Sequence, residues 1–184
     1  MELLVVMALF SLTVAMASDI FLLSNRAQRR VIAITGAQAD LRFSLEAMTR
    51  EIRTGKIDFD RYATTGGIAL PASHLIIQSS QGSREDFYRE TSKTICPAGS
   101  TGCLALSVDG GPAQALTSTG VTVAKLSFYI SPQQDPFTQL PTGAYAANTQ
   151  PTVTIAIEAL TTNTGQEVQT ITAQTTVASR IYAR

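Results

Sequence analysis

The chain of 184 residues has no tryptophan, one histidine and two cysteines, and only 15% of its residues are charged. Each scarcity narrows the functional classes. Lys+Arg and Asp+Glu stand at 14 each, so there is no electrostatic case for nucleic acid as a main partner. Two cysteines are too few for a structural zinc site. The single histidine, His74, follows Ser73, but no Gly-x-Ser-x-Gly elbow exists, and His74 reads as an ordinary strand-edge side chain. No EF-hand spacing occurs, although Asp58 and Asp60 with a third carboxylate could in principle offer calcium oxygen ligands. Gly66-Gly67 and Gly110-Gly111 do not fit a phosphate loop and read as turns. Tyr62, Tyr88, Tyr129, Tyr145 and Tyr182 are scattered and form no stacking platform. The expectation is a protein without catalytic residues, metal or cofactor.

Proline and glycine are also missing from the first 35 residues. Between residues 3 and 23 only Ser11, Thr13, Ser18 and Asp19 are not apolar. At about 1.5 Å per residue, a helix of that length crosses a hydrocarbon core of about 30 Å. Beyond Ser24 the apolar residues thin into a stripe. Val31, Ile34, Leu41, Leu45, Met48 and Ile52 keep steps of three and four, with Gln38 in the missing slot. That is the pattern of a helix packing one face on a partner, and Gly55 is its expected stop. One helix is therefore expected over residues 2–54, with a membrane-spanning half (1–25) and an amphipathic half (26–54). Its seam is Leu41, Leu45, Met48 and Ile52.

The remaining residues, 55–184, are enough for one domain, rich in Thr, Ser, Ala and Gln as short strands and loops require. Residues 56–72 read as a connection. Strands are expected at 74–80, 85–91, 104–108, 113–117, 121–130, 153–160 and 168–177, with turns at Gly82-Ser83, Asp109-Gly110-Gly111 and 163–166. In residues 125–130, Leu126, Phe128 and Ile130 alternate with polar neighbours, so one face is buried. Residues 131–150, with three prolines, form a long loop of the kind that is mobile or functional. The fold class is α+β: a long N-terminal helix packed on a C-terminal antiparallel sheet, because the helix seam is the one stripe able to cover that sheet. Cys96 and Cys103 flank a Pro- and Gly-containing loop and, behind a membrane anchor, are expected to form a disulfide.

Glu2 stands at the mouth of the apolar run. It either lies in the headgroup region, near the positive end of the helix dipole, or pairs with a cation of a neighbouring subunit in the membrane plane. The segment also has features of a cleavable signal, with Ala15-Met16-Ala17 as a small-residue site, but the helical seam continues past it.

Residues 2–10, Glu-Leu-Leu-Val-Val-Met-Ala-Leu-Phe, resemble the N-terminus of the type IV pilin and type II secretion pseudopilin superfamily. Residues 37–53 resemble its minor subunits of the J-type pseudopilin and PilW-like groups. The likeness covers about a third of the chain. It implies a pilin-like fold, and a structural minor pilin or pseudopilin that assembles with other subunits through its helix. It implies an inner-membrane location before assembly, an extracytoplasmic head domain, and a filament afterwards. It also implies that Glu2 pairs with the N-terminal amine of a neighbour and sets the stagger between subunits. The family's basic leader ending in glycine, its Phe-Thr-Leu-Ile block and its methylated phenylalanine are not in this sequence, where Met1 precedes Glu2. The expectation is a start internal to the full gene product, or a trimmed form. Arg26, Arg29 and Arg30 after the span would by the positive-inside rule face the cytoplasm, and a basic leader would restore the family's topology. The reading from another class is a membrane-anchored extracytoplasmic binding or adhesion domain using the 131–150 loop. An anchored hydrolase lacks the residues.

Overall fold

The structure, a computed structural model, describes residues 2–64, 66–147, 149–161 and 168–180. A single helix, α1, runs over Glu2–Thr54. After it come β1 (Lys56–Ile57), a one-and-a-half-turn helix α2 (Phe59–Thr64), β2 (His74–Gln78), β3 (Arg84–Glu90), β4 (Cys103–Val108), β5 (Gln114–Ala115), β6 (Val121–Ser131), β7 (Thr152–Thr161) and β8 (Thr170–Ala178). The α+β layout agrees with the sequence reading. β1 and α2 do not: the 56–72 stretch is a structured linker. Asp58 is the reason. Its Oδ1 accepts from Arg61 N at 3.0 Å, and its own C=O accepts from Tyr62 N, so it caps α2.

The single sheet expected from the sequence is in fact two. One has the order β1-β2-β3-β4-β5 and the other β6-β7-β8, both antiparallel throughout. They are joined by a bridge between Ala72 and Phe128, which exchange N–H···O bonds of 2.8 and 2.9 Å. A break from strict alternation helps explain the division. Val121, Thr122 and Val123 are all buried, and a bulge between Val123 and Lys125 resets the register before Leu126, Phe128 and Ile130 point inward. The expected β7–β8 hairpin forms, paired from Thr152↔Ala178 to Leu160↔Thr170. Its 163–166 turn lies outside the described residues. Asp109 (φ 52°) and Gly110 (φ 72°) close the β4–β5 turn in the left-handed region, which glycine tolerates and aspartate can adopt.

Both sheets and the end of α1 share one apolar core, with Leu75, Ile77, Phe87, Leu104, Phe128, Ile130 and Ile155 fully enclosed. α1 lies against β7 and β8. Two bonds fix its course along β8. Arg30 Nη2 donates to Gln169 Oε1 (2.7 Å) at one end, and Arg180 N donates to Arg53 O (3.3 Å) at the other. The helix stops where the sequence places its stop. Gly55 N donates to Glu51 O, and Ser179 Oγ donates to Gly55 O. A Cβ at Gly55 would sit 2.5 Å from Ile77 Cγ2 and 2.9 Å from Gln78 O, so only glycine lets the helix end approach β2 this closely.

Candidate assembly interface

The two halves of α1 have different surroundings. From Glu2 to Ser24 every side chain is exposed, including Leu3 (74%), Phe10 (67%) and Phe21 (67%). The most apolar stretch of the helix has none of its residues buried and is long enough to cross a membrane. Beyond the Arg30–Gln169 bond, continuous burial against the β-rich part begins at Ala33 and Ile34, both half-buried. The fully buried seam is Ala37, Leu41, Ser44, Met48 and Ile52. Three of the four expected seam residues are therefore in place, and Leu45 is the exception: it is only partly buried, at the edge of the core. Val31 and Gln38 are exposed. The seam is turned by one position because backbone, not side chains, meets the helix there. Ser118 N donates to Asp40 Oδ2 (2.8 Å), and Ser44 Oγ lies 3.4 Å from Leu116 O as well as 3.0 Å from Asp40 O. A small serine fits that approach, where leucine would not.

Glu2 lies in the first turn of α1 and is exposed. Cys96 and Cys103 are bonded, Cys103 fully buried and Cys96 nearly so. The bridge ties the loop after β3 to the start of β4. Beside it Glu90 accepts from Thr91 N and Ser92 N, at 2.7 and 2.9 Å, and these bonds hold its carboxyl below the ordinary range. The 131–150 loop carries structure of its own. Leu140 N donates to Ala144 O and Gly143 N to Leu140 O, Phe137 and Tyr145 meet edge to face, and Lys56 reaches Asp135 at 3.8 Å.

The polar residues weighed for chemistry are engaged structurally. Asp58 caps α2 with one oxygen and pairs with Arg84 Nε through the other, at 2.9 Å. Asp109 Oδ1 accepts from Arg84 N. These groups, with Asp60, Arg61 and Thr64, line an open polar cleft of about 470 Å³. Among the described residues no group of three or more His, Cys, Asp or Glu side chains is placed to hold a metal ion. His74 Nδ1 lies 3.1 Å from both oxygens of Asp86 across the β2–β3 pair, and its ring stacks on Tyr88. The Asp86 bond raises its pKa despite partial burial.

Two residues escaped the sequence reading. Tyr62 donates to His74 O (2.8 Å) and accepts from Ile76 N (3.0 Å), and burial pushes its pKa to about 12. Among the described residues Glu85 Oε2 is buried with no hydrogen-bond partner, and burial, then the charge of Glu51, raises its pKa. Its place in β3, opposite buried Ile77, was the available signal. Comparison with protein-family models, with curated proteins and with solved structures finds no match.

Proposed function

We propose that the chain is a structural minor subunit of a type IV pilus or type II secretion pseudopilus, anchored and assembled through α1. The observation that carries this reading is the partition of one continuous helix. Its first half is predominantly apolar and wholly exposed, whereas one face of residues 37–52 is spent on the protein's own core. Such a length of apolar surface needs hydrocarbon or other helices around it. A plain anchor has no need to continue rigidly into the head. A subunit that must transmit its position from a helical core to a surface domain does.

Glu2 supplies the test. A carboxylate among packed apolar helices is tolerated only with a positive partner. In the full chain, Glu2→Gln and Glu2→Leu should reach the membrane at parental levels but be missing from isolated filaments, scored by immunoblot of sheared fractions. Both variants in filaments at the parental level would remove the pairing role. A parent chain that never coisolates with filament components would remove the function itself.

A further inference from the structure

Three arginines stand just beyond the apolar run: Arg26, Arg29 and Arg30, three, six and seven residues after Leu23. No aspartate or glutamate occurs between Asp19 and Asp40, so this stretch carries three positive charges and no negative one. All three arginines are exposed. Arg30 is held to Gln169, whereas Arg26 and Arg29 have no ion pair among the described residues. With α1 emerging on the far side of the membrane, the rule that keeps arginines in the cytoplasm does not account for them.

Helix geometry places them on one side and at one depth. At 3.6 residues per turn, Arg29, Arg26 and Arg30 fall within an arc of about 100°. Ala33 and Ala37, where the head begins to cover the helix, fall inside the same arc. The arginines therefore lie on the side that the head overhangs, within the roughly 15 Å of helix between Leu23 and Ala33. Their Cα atoms stand about 5–10 Å beyond the apolar run, and helical side chains lean toward the N-terminus, here toward the membrane. A bilayer carries about 5–8 Å of headgroup region on each side of its hydrocarbon core. The guanidinium groups are then level with the phosphates.

The overhanging end of the head is an independent observation. Val121 pairs with Thr161, Thr161 N donates to Gln169 O, and Gln169 accepts from Arg30, so the starts of β6 and β8 and the end of β7 share the membrane-facing end. Among its described residues, 119–123, 159–161 and 168–171, none is charged, and Val168 is 59% exposed. Such an end can settle on headgroups without burying a charge. Residues 162–167, outside the described ones, contain one carboxylate, Glu167, against the three arginines. Space decides what meets the arginines. Between the headgroup region and the head, about 7–10 Å of helix remains on this side, less than the roughly 10–12 Å diameter of another helix.

We propose that Arg26, Arg29 and Arg30 bind the phosphates of anionic phospholipids in the leaflet from which α1 emerges, with the Val168 end of the head resting on the same headgroups. Arg30, bonded to Gln169, ties the head to that surface. This goes beyond assembly and rests only on α1 as the membrane anchor.

The test uses the full chain reconstituted in phosphatidylcholine vesicles. These contain equal trace amounts of photoreactive phosphatidylglycerol and photoreactive phosphatidylcholine, each with the reactive group near the glycerol. Adducts are mapped by mass spectrometry. An arginine at an anionic surface contributes about fivefold in binding. Phosphatidylglycerol adducts on residues 24–33 and 168–170 should therefore exceed phosphatidylcholine adducts about a hundredfold, and only about fivefold in Arg26→Gln with Arg29→Gln. Arg42→Gln with Arg50→Gln, higher on the helix, should keep the parental ratio, and added salt should lower it. The proposal is overturned by a parental ratio within twofold of one, by a ratio indifferent to Arg26→Gln with Arg29→Gln, or by an equal fall in the Arg42 and Arg50 control. It is also overturned if inorganic phosphate at equal ionic strength abolishes the preference, which would mark a site for free anions. Vesicle flotation keeps the readings apart. All variants should float through the apolar half of α1. A parent that fails to float overturns the anchor and this proposal together, and a floating parent without the preference overturns this proposal alone.

Discussion

Truncating Leu41 tests whether residues 37–52 are part of the core. Leu41 is 2% exposed and Met48 fully enclosed, both within the cluster that joins α1 to the two sheets. Leu→Ala at such sites costs about 2–5 kcal/mol, through lost apolar burial and the cavity left behind. For a protein of this size each kcal/mol moves the melting temperature by about 2–4 °C. Leu41→Ala should therefore lower it by roughly 4–20 °C. Leu45→Ala, at the edge of the core, should cost distinctly less, and Phe43→Ala, on the opposite exposed side, about nothing. The three sites lie within five residues, so helix propensity and membrane insertion are nearly constant across the series. Thermal unfolding of the full chain in detergent, followed by tyrosine emission because tryptophan is absent, gives the ranking. Equal shifts at Leu41 and Phe43, or a Leu41→Ala shift within 1 °C of zero, would refute the packing of α1 on the sheets.

Three other outcomes are expected. The Cys96–Cys103 peptide from exported protein should be two hydrogens lighter than its reduced form under non-reducing mass spectrometry, and Cys96→Ala with Cys103→Ala should cost about 2 kcal/mol, the loop-closure value for so short a ring. His74 has a folded pKa above its unfolded value because of Asp86. Its contribution is thus complete below about pH 6.5 and lost as pH rises through the folded value; a pH titration of the melting temperature should show this fall, and His74→Ala should flatten it. Glu85 has a raised carboxyl pKa, so its ionisation opposes folding once pH passes the unfolded value near 4.5. Glu85→Gln should stabilise the protein at pH 7 and change little at pH 4, and a loss of stability at pH 7 would show that the carboxylate is paired after all.

Much of the fold was readable because its signals are local. The helix stop at Gly55, the alternation of Leu126, Phe128 and Ile130, and the register-setting apolar pairs of β7 and β8 each need only a few neighbouring residues. The capping of α2 was also local, since Asp58 stands three residues before Arg61, but a six-residue helix leaves too little periodicity to expose it. The seam was legible to within one helical position. The choice of Ser44 over Leu45 depends on backbone arriving from Leu116 and Ser118, more than seventy residues away.

The sequence by itself determined that one helix would carry two environments, because apolar length and apolar period are properties of the chain. It determined too that the rest would be antiparallel strands, and that the cysteines would meet across seven residues. Only the tertiary structure decided that the strands divide into two sheets and that a bridge at Ala72 and Phe128 joins them, because pairing between distant segments is not a local property of the chain. Only the tertiary structure decided which helix face is used up. Periodicity marks residues that share a side, but the fold selects which side is covered, and it left Phe43 and Ile32 outside while drawing Ala37 and Ser44 in. The buried oxygen of Glu85 has the same origin: the pattern of β3 placed it on the inner face, and the packing of the core closed over it with no donor among the described residues.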